Sequence, residues 1–163
     1  MDVLWQELTS GLPDTAQLSR VIARMLAAAL LGAVVGIQRE RTGKAAGLRT
    51  HMLVSMGSAF FVISPSEFGM GEDALSRVIQ GLATGIGFIG GGAILKLADE
   101  REIEGMTTAA GIWMTAAVGV AAGLGRWGSA LLGVMMTWIV LAVVGRIEVR
   151  VENAKARKAE TRG

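Results

Sequence analysis

Residues 78–97 read VIQGLATGIGFIGGGAILKL and contain one charged side chain, Lys96, close to their end. Within them Gly85, Gly87 and Gly90 spell the G-x-G-x-x-G of a dinucleotide-binding turn, so the stretch admits two folds. A dinucleotide turn follows a strand, opens a helix and meets an acidic residue about 20 positions on. Here the residues before Gly85 belong to one apolar run, and the acidic position falls near Glu104, beyond a charged connection. A hydrocarbon core of about 30 Å takes roughly 20 apolar helical residues to cross. The run has that length, and a membrane helix is the reading that fits.

Working outward, four further runs of the same kind appear. Apolar residues make up 52% of the 163-residue chain against 18% charged, and the charges gather between the runs and at the ends. Spans are expected at about 20–38, 47–64, 77–97, 106–124 and 127–145, making residues 1–145 a membrane domain and 146–163 a charged tail. Asp14 with Gln17 three residues on is a capping pattern that starts the first helix near residue 15. Pro65 is expected to stop the second. The fold class is therefore all-α, a bundle of about five spans.

Absences narrow the function. The chain has no cysteine and one histidine, which removes disulfides, thiolate metal sites and multi-histidine sites within one chain. No Ser-His-Asp or paired-carboxylate set comes together at one depth, so an enzyme is not expected. The first 19 residues carry Asp2, Glu7 and Asp14 and no Lys or Arg, unlike a signal peptide, and the N-terminus is expected to be uncleaved. The basic residues flank apolar segments, which points to membrane topology and not to nucleic acid. With the N-terminus outside, twelve of the sixteen Lys and Arg residues fall inside: Arg39, Arg41, Lys44, Arg49, Lys96, Arg101 and six from Arg146 to Arg162. Arg20, Arg24, Arg77 and Arg126 remain outside, as the positive-inside rule requires.

The glycines of the third run, Gly85, Gly87, Gly90, Gly91 and Gly92, have two membrane readings. One is close helix packing, with Gly81 and Gly85 letting backbones touch. The other is a break in the third span whose freed amides and carbonyls line a polar cavity. A second polar feature lies in AGLRTHMLVSMGS, residues 46–58, where His51, Ser55 and Ser58 fall at i, i+4 and i+7 and form a stripe that should face protein. Thr108, Thr115 and Gly119 share one face of the fourth span in the same way. Arg39, Glu40, Arg49, Thr50, His51, Thr107 and Thr108 are the candidate polar cluster, placed near the inner mouth against the glycine break, and Glu40 is a candidate partner for Arg49. The spans hold no Asp or Glu, so a cation site would draw on Glu40, Glu104, threonines or carbonyls; no metal ligand set is assigned. Replacing Arg49 or His51 is expected to abolish activity without loss of membrane yield. Trp113 and Trp138 read as packing residues.

Taken in order, LLGAVVGIQRERTGKAAGLRTHMLVSMGSAFF, GIGFIGGGAI and GMTTAAGIWMTAAVGVAAGLG resemble the MgtC/SapB family of bacterial inner-membrane proteins over about residues 28–125. That resemblance implies a multi-pass protein linked to growth or survival at low Mg²⁺ and, in some members, to virulence inside host cells. It also implies regulators acting on other membrane machinery, including ATP synthase and cation pumps, although members are often labelled magnesium transporters. Gln38 stands where the family's G-x-E-R-E pattern has Glu, while Arg39 and Glu40 match. Larger members carry a soluble C-terminal domain, which these residues do not reach. The expectation is a non-enzymatic, Mg²⁺-linked membrane regulator. It would sit in lipid and associate with itself or with other membrane proteins. A transporter or channel for Mg²⁺ or a small solute is the alternative.

Overall fold

The computed structural model describes residues 3–6, 14–67, 69–96, 103–147 and 150. Five helices of more than ten residues dominate: α1 (Thr15–Arg41), α2 (Leu48–Glu67), α3 (Glu72–Gly92), α4 (Met106–Gly123) and α5 (Trp127–Ile139). A π-helical segment, Val140–Val144, extends α5. Between α3 and α4, two-residue strands β1 (Leu95–Lys96) and β2 (Ile103–Glu104) pair antiparallel, Leu95 opposite Glu104. The expected Arg101 and nearly all of the charged tail lie outside the described residues. Three helical stretches, Thr15–Arg41, Met106–Gly123 and Trp127–Ile147, are long and apolar enough to cross a bilayer. The architecture is an all-α membrane bundle, with α2 and α3 equally long but more polar.

Helix ends follow local chemistry. Asp14 caps α1, its carboxylate accepting from the Gln17 amide at 2.6 Å, and so satisfies a donor that the first turn leaves free. The Gln17 side chain does not close a box back onto Asp14 but donates to Glu67 of α2. α1 stops at Thr42 and Gly43, the latter at φ +66°, where the Lys44 amide bonds back to the Arg39 carbonyl at 3.1 Å. Pro65 does not end α2, contrary to expectation: the helix runs on to Glu67. Proline's fixed φ is compatible with a helix, so the chain keeps that geometry although Pro65 supplies no N–H and its ring crowds the preceding turn. Gly69, at φ +67°, makes the stop.

The third span is not broken at its glycines. α3 is continuous through Gly85, Gly87, Gly90 and Gly91 to Gly92, and the positive-φ glycines are elsewhere, at Gly43, Gly69, Gly105 and Gly125. Glycine costs a helix about 1 kcal/mol relative to alanine, but lipid offers the freed amides no partner, so the helical bonds persist. The helix also begins five residues earlier and ends five earlier than the expected 77–97. It closes with the Ala93 amide on the Gly90 carbonyl at 3.1 Å.

Packing shows where small residues are needed. α1, α2 and α4 form a mutually packed trio; α5 lies against α1 and α4, and α3 against α4 and α2 at the edge. Ala28, Ala59, Ile63, Ala122 and Ala130 make one buried cluster of this trio with α5. A Cβ on Gly32 of α1 would sit 2.6 Å from the His51 carbonyl oxygen, and one on Gly36 2.7 Å from the Leu48 Cα. On the other side of α2, a Cβ on Gly119 would strike the Ser55 carbonyl and one on Gly123 would lie 2.6 Å from that of Ala59. α2 is therefore gripped along its backbone by glycines of α1 and α4, spaced four apart on each. By contrast, Gly81, Gly85, Gly87, Gly91 and Gly92 meet nothing among the described residues, and of the glycine run only Gly90 has a neighbour among them, Ala109. The expected packing through Gly81 and Gly85 does not occur within the chain, because α3 turns Ile86 and Gly90 inward and the rest outward.

Candidate functional site

The grip on α2 brings polar side chains of three helices together. Arg39, on the last turn of α1, is 3% exposed, and its guanidinium donates to the Thr108 hydroxyl of α4, also 3% exposed. His51 and Ser55 of α2 are both 0% exposed. The His51 ring is fixed through Nδ1, 3.0 Å from the Gly47 carbonyl oxygen. A carbonyl only accepts, so Nδ1 carries a proton there, and in the neutral ring Nε2 is left as an acceptor. Gly111 of α4 is the neighbour of the imidazole, since a Cβ there would be 3.7 Å from Nε2.

Among the described residues, four buried polar atoms have no hydrogen-bond partner: Gln38 Oε1, Arg39 Nε, His51 Nε2 and Ser55 Oγ. Unpaired polar groups inside proteins are few, and each calls for water, an ion or a functional role. All four belong to α1 or α2, whereas the neighbouring hydroxyls are satisfied within their own helices. Ser58 donates to Val54 at 2.7 Å and Thr115 to Gly111 at 2.8 Å. The cluster is thus a partly satisfied polar core carrying one permanent cation. No carboxylate pairs with Arg39, and no metal-holding group of three His, Cys, Asp or Glu occurs among the described residues.

The expected seven-residue cluster divides. Arg39, His51 and Thr108 are buried, and the structure joins Arg39 to Thr108. Glu40 is exposed and accepts from the Leu48 amide at 2.8 Å, capping α2 instead of pairing with Arg49. Arg49 and Thr107 are exposed, and Thr50 is half-buried. The glycines from Gly85 to Gly92 offer no break to face the cluster. The stripes of His51, Ser55 and Ser58 and of Thr108, Thr115 and Gly119 are buried as their spacing implied. Sequence reasoning missed Gln38 as part of the site. Its amide donates to the Leu141 carbonyl at 3.2 Å, tying α1 to the π segment, and no period in the sequence signals that bond. Trp113 and Trp138, expected in packing, are 48% and 42% exposed.

Comparison with known proteins agrees with this architecture. The model of the MgtC family matches residues 25–150. Protein SrpB of Synechococcus elongatus is 44% identical over 77% of this chain and 75% of its own length. The putative magnesium transporter YhiD of Escherichia coli K12 is 41% identical over 81% of this chain and 64% of its own. Protein MgtC of Salmonella typhimurium is 39% identical over 68% of this chain. The chain spans about half the length of that last relative, 46%, and about two thirds of YhiD, 64%. No solved structure matches. With 126 consecutive residues matched to one family model and three such relatives on an all-helical apolar bundle, this bacterial membrane protein belongs to the MgtC family.

Proposed function

We propose that the chain is a non-enzymatic regulator in the bacterial inner membrane, linked to Mg²⁺ homeostasis and to growth or virulence at low Mg²⁺, and that it acts on partner membrane proteins. Five crossings with the N-terminus outside and the C-terminus inside belong to this reading. Self-association, or contact with an ATP synthase or cation pump as the family resemblance implies, supplies its partners.

The observation that carries the proposal is the charge of the buried cluster. Arg39 is a permanent cation held at the meeting point of α1, α2 and α4 without a carboxylate partner. At an effective dielectric of about 20, a divalent cation about 5 Å from such a charge is repelled by roughly 7 kcal/mol. Mg²⁺ also binds through one or two carboxylates and holds its waters tightly. A path for the ion through this cluster is opposed on both counts. The name of YhiD, a putative magnesium transporter, favours the second reading, a Mg²⁺ or small-solute transporter, whose conduit would have to avoid Arg39.

Purified full-length protein in sealed vesicles separates the two. We expect no Mg²⁺ flux above that of protein-free vesicles, while Arg39→Leu abolishes support of growth at low Mg²⁺ in cells and Arg39→Lys retains part of it. Protein-dependent flux that disappears in Glu40→Ala establishes transport instead.

A further inference from the structure

At the end of the bundle opposite the polar cluster, α4 turns sharply into α5. Leu124 and Gly125 make the turn, Gly125 at φ +70°, with the Arg126 amide bonding back to the Ala121 carbonyl at 2.8 Å. Against this turn stands the first part of α1. Together Arg20, Ala23 and Arg24 of α1 and Leu124, Gly125 and Trp127 line a half-open cleft of about 270 Å³. We propose that this cleft binds the phosphate group of an anionic phospholipid.

Its chemistry is one-sided. Arg20 and Arg24 are one helical turn apart and therefore share a face. Arg24 is held in place by donating from Nη1 to the Gly123 carbonyl oxygen at 3.0 Å. Its Nη2 lies beside Gly125, where a Cβ would approach to 3.3 Å, so the absence of a side chain there keeps this edge of the guanidinium clear. Arg20 is exposed and makes no ion pair among the described residues. No carboxylate lines the cleft among the described residues. Two arginines lining one cleft offer the planar donor forks that phosphate oxygens accept. Ionisable residues in membrane segments pair with one another or with backbone carbonyls and commonly mark function. Arg24 satisfies one carbonyl and still has donors to spare.

The remaining walls argue for a lipid as the bearer of the phosphate. Ala23, Leu124 and Trp127 are apolar or amphipathic, and Trp127 is 45% exposed, the setting in which tryptophan anchors at the membrane interface. Leu131 of α5, one turn on from Trp127 and on the same face, is exposed as well and can lie beside acyl chains. A free phosphate ion uses none of this surface.

Arg20→Gln tests the proposal, because the Arg20 side chain makes no hydrogen bond or ion pair among the described residues, whereas Arg24→Gln also removes the bond to Gly123. Native mass spectrometry of the full chain in detergent, titrated with phosphatidylglycerol, should give at least about tenfold weaker retention for Arg20→Gln than for the parent, as for loss of a charge-assisted contact. Phosphatidylcholine should be retained more weakly than phosphatidylglycerol by the parent, and inorganic phosphate should not displace the bound lipid. Equal phosphatidylglycerol retention by parent and Arg20→Gln overturns the site. Equal retention of the two lipids overturns its preference for an anionic headgroup. Displacement of the lipid by inorganic phosphate at similar concentration assigns the cleft to the free ion instead.

Discussion

His51 and Arg49 are two positions apart and have opposite fates. His51 is completely enclosed, bonded at Nδ1 and flanked by Gly32 and Gly111, whereas Arg49 projects from the same turn into open surroundings. Truncating the imidazole leaves a cavity against α1 and α4, and large-to-small changes in packed interiors cost about 2–5 kcal/mol. His51→Ala should therefore lower the thermal midpoint in detergent and reduce membrane yield as well as activity. Arg49→Ala, at the surface, should stay within about 0.5 kcal/mol of the parent stability. A thermal midpoint for His51→Ala equal to that of Arg49→Ala would refute the enclosed position. The i, i+4, i+7 spacing was enough to place His51, Ser55 and Ser58 on one inward face. It was not enough to choose between Arg39 and Arg49 as the inward cation. That choice depends on where the α1–α2 loop ends, and Glu40 decides it by capping Leu48.

Among the helices, the glycines divide by what stands opposite them. Gly32, Gly36, Gly119 and Gly123 have backbone of α2 within a distance that no Cβ tolerates; Gly85 and Gly87 have nothing. Gly81 and Gly85 are four apart, as are the pairs on α1 and α4, so spacing alone made the third run look like the packing surface. Only the neighbouring helix distinguishes them. Gly32→Ala should overpack the α1–α2 contact and destabilise by about 1–3 kcal/mol. Gly85→Ala should be neutral or stabilise by up to about 1 kcal/mol, since alanine is the better helix former and has room. Denaturation in mild detergent, followed by helical circular dichroism, reads both. If Gly85→Ala costs as much as Gly32→Ala, α3 makes a close contact that the monomer lacks, as self-association through its open face requires.

For the whole molecule, the number of crossings follows from each helix's length, apolarity and packing. α1, α4 and the extended α5 have the length and apolarity to do so. α2 carries its polar residues inward against α1 and α4, so its low apolarity reflects what it packs against and not an aqueous setting. A helix so enclosed can span lipid without a lipid-like sequence. α3 shows 21 residues with only Ile86 and Gly90 buried, and its first turn carries Glu72 and Asp73, as expected of a helix that starts at one surface and runs along the bundle edge. The basic residues Arg41 and Lys44 then flank the α1–α2 loop, while the α2–α3 turn at Gly69–Gly71 lies at the far end of α2. The chain has no cysteine, so single cysteines report sidedness without background. Lys44→Cys and Met70→Cys are both exposed positions. In intact cells a membrane-impermeant maleimide should label Met70→Cys but not Lys44→Cys, and inverted vesicles should reverse the pattern. Labelling of both from the same side would mean that α2 does not cross. That outcome would leave α1, α4 and α5 as the three crossings, with α2 and α3 dipping into one leaflet and His51 carried by a helix that does not span.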